Sequence, residues 1–144
     1  MEEQLCFALH VAARAYDQLY RSALKESGLT YPQYLVLMML HQHGSLSMKE
    51  LCRRLRLDSG TLSPLLRRME TASLVQRQRS VHDERSVIID LTPAGAAVQA
   101  TVRDVPRHIA AATGLPQDQA VSLLENVRSL VGVLENRTPG GDVG

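Results

Sequence analysis

The chain has 144 residues, of which 44% are hydrophobic and 22% charged, and its formal net charge is +1 at pH 7. This length and composition predict one globular domain with a real core and exclude a disordered chain. No run of about 18 apolar residues is present, and the acidic start lacks a basic leader, so we expect a cytoplasmic protein with no membrane partner. In that compartment Cys6 and Cys52 are expected to be free or redox-active thiols rather than a structural disulfide.

Positive charge is concentrated in the middle of the chain. Between Lys49 and Arg85, nine Lys and Arg residues stand against five Asp and Glu residues, which leaves a local charge of +4 and flanks at −3. A basic centre between acidic flanks is typical of a DNA-binding module held by other segments.

Apolar residues at helical spacing predict a first helix over residues 4–26, which Gly28 would end. A long helix of this moderate apolarity is often an interface helix. A second helix is predicted over residues 30–43, with Pro32 in its first turn. Because this second helix is apolar nearly all round, we expect it to be buried.

A minor strand is predicted at 45–47, followed by a helix over residues 48–56, a short turn at 57–58 and a second short helix that runs to about residue 69. Asp58 or Ser59 can cap the second helix by accepting hydrogen bonds from its free N–H groups. Two helices joined this tightly predict a helix-turn-helix, in which the second helix enters the major groove of DNA.

The second of these helices is amphipathic, with an apolar face that should lie against the core. Its other face carries hydroxyls and cations, which suit phosphates and base edges: Ser59, Thr61, Ser63, Arg67 and Arg68. Pro64 lies beyond the first turn, so we expect a slight kink or a late start. An ordinary surface helix would show the same pattern, and this segment alone leaves both interpretations open.

A β-hairpin is predicted after this helix, because two β-prone runs at 74–79 and 85–92 flank a polar turn. Arg79 and Arg85 lie near its tip, where an arginine can enter the narrow minor groove. A solvated charged turn is the alternative. The order of two helices and then a hairpin is nevertheless that of a winged helix-turn-helix, and it favours DNA binding.

The remaining chain is predicted to be helical. Thr92 can cap a helix that runs to about Val105, and residues 107–113 continue it or break before a last helix at 118–136. The fold class is therefore mainly α with a small β-hairpin wing, that is, α+β.

This layout resembles the MarR family of bacterial regulators over nearly the whole chain. The wing motif at 83–86 and the segment Leu-Thr-Pro-Ala-Gly at 91–95 are similar to the family's signature. Residues 4–9, 29–34 and 57–64 further resemble the organic hydroperoxide resistance regulators, which sense peroxides through one N-terminal cysteine.

The resemblance implies a single MarR-type domain that forms a homodimer and binds double-stranded DNA at a palindromic operator. Dimerisation helices would occupy residues 1–28 and 96–137, the winged helix-turn-helix 30–92, and a flexible tail 138–144. In the wing, Arg85 would reach the minor groove and Asp83 would orient it.

The resemblance also implies a redox sensor. Cys6 matches the sensing cysteine, and Tyr20 and Tyr31 match the tyrosines that hydrogen-bond it from the partner subunit. His10 replaces a further tyrosine of the pattern and could donate to the thiolate instead. A helix N-terminus favours the thiolate, which an organic hydroperoxide would oxidise to a sulfenic acid that condenses with a small cytosolic thiol. Without a cysteine in the C-terminal helices, the chain resembles the one-cysteine subgroup.

Other interpretations stay open at this point. A MarR-type repressor could instead answer a small aromatic or phenolic ligand at the dimer interface, or Cys6 could serve a thiol peroxidase. Either cysteine could also be inert packing, which we favour for Cys52 on the core face of its helix. His41 and His43 are two residues apart and share no helix face, so we expect solvated histidines, with no metal and no cofactor.

Overall fold

The computed structural model describes residues 4–83 and 85–137. The elements in chain order are α1 (Leu5–Ala23), a 3-10 turn (Lys25–Ser27), α2 (Tyr31–His43), β1 (Leu46–Ser47), α3 (Met48–Leu55), α4 (Ser59–Thr71), β2 (Val75–Arg79), β3 (Val87–Leu91), α5 (Pro93–Val102), α6 (Val105–Thr113) and α7 (Gln117–Arg137). The mainly helical fold with a small sheet, predicted from the sequence, is confirmed. The tail predicted at 138–144 lies outside the described residues.

Side-chain caps fix where the helices of the middle region begin. Thr30 and Gln33 form a reciprocal capping box at the start of α2, and Ser47 Oγ accepts the Glu50 N–H at 3.1 Å at the start of α3. Asp58 caps α4. These local hydrogen bonds satisfy N–H groups that lack partners within the helix.

Among the described residues, three short strands form one antiparallel sheet in the order β1-β3-β2. Val75 lies opposite Leu91, and Arg79 lies opposite Val87, so the far end of the hairpin is the wing tip. The predicted hairpin and the predicted minor strand β1 are both present. β3 begins at Val87 rather than at residue 85, because the residues before it form the turn.

The core lies between α2, α3, α4, α5 and the sheet. The largest side chains that are fully buried come from these elements and from Leu24: Val36, Leu37, Leu51, Leu62, Leu66, Met69, Val75 and Ile89. The predicted apolar face of α4 is therefore the one that is buried. This packing holds the opposite face of α4 towards the outside.

Gly95 allows the start of α5 to approach the loop between α4 and β2. A Cβ added at Gly95 would lie 1.9 Å from the carbonyl oxygen of Leu74, a distance that no side chain can adopt. Thr92 Oγ1 accepts the Gly95 N–H at 2.9 Å and donates to the Ser73 carbonyl at 2.5 Å. Thr92 thus caps α5, as predicted, and also ties it to the helix-turn-helix.

The boundary between the helices α5 and α6 differs from the predicted one. α5 ends at Val102, and α6 begins at Val105 with Pro106 in its first turn. Proline is accepted there because the first-turn N–H groups have no partner within the helix. The predicted end of the helix near Val105 is therefore wrong, because Val105 and Pro106 belong to the first turn of α6.

No described residue of the first and last helices is fully buried within the chain, although Leu19 and Tyr20 are partly buried against the core. Their large apolar side chains remain exposed: Leu5, Phe7, Val11, Tyr16, Val121, Leu123, Leu124, Val133 and Leu134. No helix in the described part of the chain is long and apolar enough to cross a membrane. Apolar area of this extent on two helices is typical of an interaction surface.

Candidate nucleic-acid interface

The N-terminus of α4 presents a fixed set of polar groups. Asp58 Oδ1 accepts the Thr61 N–H at 2.7 Å, and Thr61 Oγ1 donates to Asp58 Oδ2 at 3.1 Å. These hydrogen bonds from Thr61 hold the pKa of Asp58 below its usual range, so the cap stays ionised at neutral pH. Ser59 and Thr61 are exposed on the first turn.

The outward face of α4 agrees with the prediction except at Ser63. Arg67 and Arg68 are exposed, whereas Ser63 is half-buried and its carbonyl accepts a hydrogen bond from Arg77 Nη2 at 3.4 Å. α4 begins at Ser59 directly after its cap, so the late start expected from Pro64 does not occur. Pro64 lies in the second turn, where its missing N–H removes the usual in-helix hydrogen bond.

Ion pairing sorts the arginines of the basic middle segment into two groups. Several are paired with carboxylates: Arg53 and Arg54 with Glu50, Arg56 with Glu135, and Arg77 with Glu70. The others pair with no carboxylate of the described residues: Arg67, Arg68, Arg79 and Arg85. These unpaired arginines are the ones that the sequence predicted to bind DNA. Their charge is therefore available for phosphates or base edges.

Asp83 shapes the turn at the wing tip. Its Oδ1 accepts the backbone N–H of Arg85 at 3.0 Å, and its carbonyl accepts the Ser86 N–H at 2.9 Å. No Asp83–Arg85 ion pair occurs between these two described side chains. Asp83 thus acts on the backbone that carries Arg85, and the Arg85 side chain is exposed.

Cys6 is exposed on the second residue of α1. Its Sγ lies 3.8 Å from Gln4 Oε1, and the Gln4 side chain makes no hydrogen bond that caps the helix. The first turn of α1, in which Cys6 lies, therefore has no side-chain cap. His10 is exposed and makes no hydrogen bond to Cys6, although both lie within residues 4–83. Its proposed role as a donor stays a prediction.

A cluster of three tyrosines joins α1 to the start of α2. The rings of Tyr20 and Tyr31 lie 4.5 Å apart, and Tyr34 lies 5.7 Å from Tyr20 and 6.1 Å from Tyr31. Burial raises the pKa of each, and the pKa of Tyr34 reaches about 12. All three hydroxyls therefore remain protonated donors at neutral pH. The sequence analysis named Tyr20 and Tyr31 as site residues and predicted for Tyr34 only that its helix is buried. Tyr34 lies three residues after Tyr31 in a chain with few aromatic residues, and this spacing could have indicated that the two tyrosines belong to one cluster.

Cys6 cannot meet the tyrosines of its own chain. Cys6 and Tyr20 lie fourteen residues apart on the continuous helix α1, which separates their Cα atoms by about 21 Å at the helical rise of 1.5 Å per residue. Tyr31 packs on Tyr20 and is equally remote. A contact between this thiol and these hydroxyls requires a second chain.

Comparison with known proteins places this fold in a family. The model of the MarR family matches residues 29–87. The transcriptional regulator TtmR of Methylorubrum extorquens (strain PA1) is 45% identical over 130 residues, which cover 90% of this chain and 67% of that protein. The organic hydroperoxide resistance transcriptional regulator of Bacillus subtilis (strain 168) is 41% identical over 135 residues, covering 94% and 90%. The chain belongs to the MarR family.

Solved structures agree with this assignment. Reduced AbfR bound to DNA superposes with a TM-score of 0.77 at 34% identity, covering 92% of this chain and 93% of that one. Overoxidised AbfR, also bound to DNA, gives a TM-score of 0.75 at the same identity and coverage. The protein is thus a MarR-family DNA-binding transcriptional regulator with a winged helix-turn-helix, in which α4 is the recognition helix and the β2–β3 hairpin is the wing.

The second cysteine of this MarR-family regulator has a different environment. Cys52 is buried on the core face of α3, as predicted. Burial, with a smaller contribution from Asp58, raises the pKa of its thiol and disfavours the reactive thiolate. Within residues 4–83 and 85–137 there is no group of three or more His, Cys, Asp or Glu side chains that could hold a metal ion.

Proposed function

We propose that this regulator is a homodimeric repressor that binds a palindromic operator and releases it when an organic hydroperoxide oxidises Cys6. The observation that carries the proposal is the position of Cys6, an exposed thiol in the first turn of α1. The similarity to the Bacillus subtilis organic hydroperoxide regulator supports the choice of oxidant.

The exposed apolar side chains of α1 and α7 support a dimer. α1, α6 and α7 enclose an open apolar groove of about 620 Å³, whose lining includes Tyr16, Leu115, Leu123 and Leu124. A second copy that covers this groove would bury the exposed side chains of α1 and α7 and bring a partner's tyrosines to Cys6. Two recognition helices would then face successive major grooves, about 34 Å apart on DNA.

Oxidation of Cys6 to a mixed disulfide proceeds in two steps. The Cys6 thiolate attacks the terminal oxygen of the hydroperoxide, the O–O bond breaks, and the alkoxide leaves and takes up a proton to become the alcohol. The resulting sulfenic acid reacts with a small thiol, which forms a mixed disulfide and releases water. The thiol's sulfur and Cys6 are joined by one S–S bond, and no second protein cysteine is needed.

The adduct would act through the tyrosine cluster. A mixed disulfide on Cys6 is larger than the thiol, so it would displace Tyr20 and Tyr31 of the partner subunit. Tyr31 is the first residue of α2, and α2 packs against the recognition helix α4. A displacement at this end of α2 would therefore reorient α4 relative to its counterpart and lower DNA affinity.

Intact-mass and peptide-mass analysis tests the proposal. Reduced protein treated with cumene hydroperoxide and free cysteine should gain one cysteine adduct per chain, located on Cys6, while Cys52 stays a thiol. Cys52→Ser, the matched variant, should gain the same adduct, and Cys6→Ser should gain none. An adduct on Cys52 at the same rate, or an unmodified Cys6, would contradict the proposal.

A further inference from the structure

Arg77 lies at the joint between the wing and the recognition helix. Side chains alternate along β2, so Val75, Arg77 and Arg79 share one face of the strand and pass from buried to half-buried to exposed. Val75 belongs to the core, and Arg79 is free at the far end. Arg77 is therefore the one of the three that is placed against the surface of α4.

The guanidinium of Arg77 holds α4 at two points. Its Nε lies 3.2 Å from Glu70 Oε2, and its Nη2 donates to the Ser63 carbonyl at 3.4 Å. The buried Nε–H is not aligned for a hydrogen bond with any acceptor of the described residues, so its contact with Glu70 is ionic. Ser63 and Glu70 are seven residues apart, which puts them two turns apart on the same side of α4.

These contacts hold the hairpin on its β2 side, whereas pairing with β1 at Ile88 and Ile89 holds it on its β3 side. The chain from α4 to β2 is only residues 72–74, and Val75 is buried in the core directly after it. Arg77 follows two residues later, opposite Ile89, and its side chain binds α4. The wing tip lies further out, so a small rotation at the joint would displace Arg85 by a larger distance.

We propose that Arg77 is a positioning residue for DNA binding. By binding Glu70 and the Ser63 carbonyl, Arg77 sets the angle between the wing and α4. At this angle Arg85 can enter the minor groove of DNA while α4 occupies the major groove. The charge of Arg77 itself is neutralised by Glu70 and does not serve as a phosphate contact. The proposal rests on the DNA binding of the MarR family and is independent of any oxidation at Cys6.

Salt-dependent binding by Arg77→Gln, Glu70→Gln and the double variant tests this role. The probe is a duplex selected by the reduced wild-type protein from a randomised pool. Arg77→Gln should bind about five- to tenfold more weakly, and the double variant no more weakly than that, because both changes remove one contact. The slope of log Kd against log salt should equal the wild-type slope, whereas Arg85→Gln, which removes a proposed DNA contact, should reduce it by about one.

Glu70→Gln keeps the test decisive even if Arg77→Gln fails to fold, because Glu70 is on the surface. Removing a negative charge near DNA favours binding by itself, so weaker binding by this variant at an unchanged unfolding temperature supports the positioning role. Tighter binding by Glu70→Gln would overturn it. A reduced salt slope for Arg77→Gln would instead make Arg77 a phosphate contact, and additive losses in the double variant would show that the two residues act separately.

Discussion

At the scale of single residues, the two cysteines differ in their surroundings. Cys6 is exposed in the first turn of α1, whereas Cys52 is buried in the core. Burial raises the pKa of Cys52 and disfavours its thiolate, so we expect oxidation at Cys6 rather than at Cys52. The tyrosines show the same principle, since their burial keeps them protonated as donors.

Tyr34 should make the stability of the protein fall in alkaline solution. Its pKa is raised to about 12 in the folded chain, whereas a tyrosine in the unfolded chain ionises near pH 10. Stability from the neutral phenol is therefore complete below about pH 10 and is lost as the pH rises towards 12, by on the order of 1–2 kcal/mol. Urea unfolding at several pH values measures this. Tyr34→Phe should show a smaller loss, and an equal loss in both proteins would contradict the assignment.

At the scale of elements, the recognition helix shows what a sequence can predict. The apolar face of α4 depends on spacing within thirteen residues and was predicted correctly, and of the two predicted cap residues, Asp58 and Ser59, the structure has Asp58. The contacts of Arg77, the approach of Gly95 to Leu74 and the ring contact of Tyr20 with Tyr31 join distant segments, and local spacing carries no information about them. The end of α5 was misplaced because a proline such as Pro106 can either follow the end of one helix or lie in the first turn of another.

Ion pairing within these elements predicts which arginines bind DNA. Arg68→Ala should weaken binding by roughly 5- to 20-fold and lower the salt slope by about one, since its charge is free for a phosphate. Arg53→Ala is the matched control, because Arg53 lies on the preceding helix and is paired with Glu50 at 2.7 Å. Arg53→Ala should leave the Kd for DNA within about twofold of the wild-type value and the salt slope unchanged. Fluorescence anisotropy over a range of salt concentrations measures the Kd and the salt slope. Equal effects of the two variants would contradict the prediction that only the arginines without a carboxylate partner bind DNA.

At the scale of the whole molecule, the first and last helices differ from the helices that form the core. α1 and α7 keep their apolar side chains exposed, whereas α5 is packed on α2 in the chain's own core. The predicted dimerisation segment at 96–137 thus contains two kinds of helix. α5 stabilises the DNA-binding part, and the surface for a second copy would come from α1, α6 and α7.

Leu124→Glu should disrupt the dimer. Leu124 is 48% exposed in the single chain and lines the groove between α1, α6 and α7, so a charge there would be buried on dimerisation. Analytical ultracentrifugation should show a dimer for wild type and a folded monomer for the variant. Val81→Glu is the control, because Val81 is 97% exposed at the wing tip and should leave the dimer intact. A dimeric Leu124→Glu protein would place the interface elsewhere.

Operator release on oxidation tests the central claim most directly. Wild type, Cys6→Ser and Cys52→Ser are bound to the same selected duplex, and anisotropy is followed after addition of cumene hydroperoxide and free cysteine. Wild type and Cys52→Ser should leave the DNA, Cys6→Ser should stay bound, and a reductant should restore binding of the first two. Release of Cys6→Ser at the wild-type rate would contradict sensing at Cys6 and would favour a repressor that answers a ligand instead.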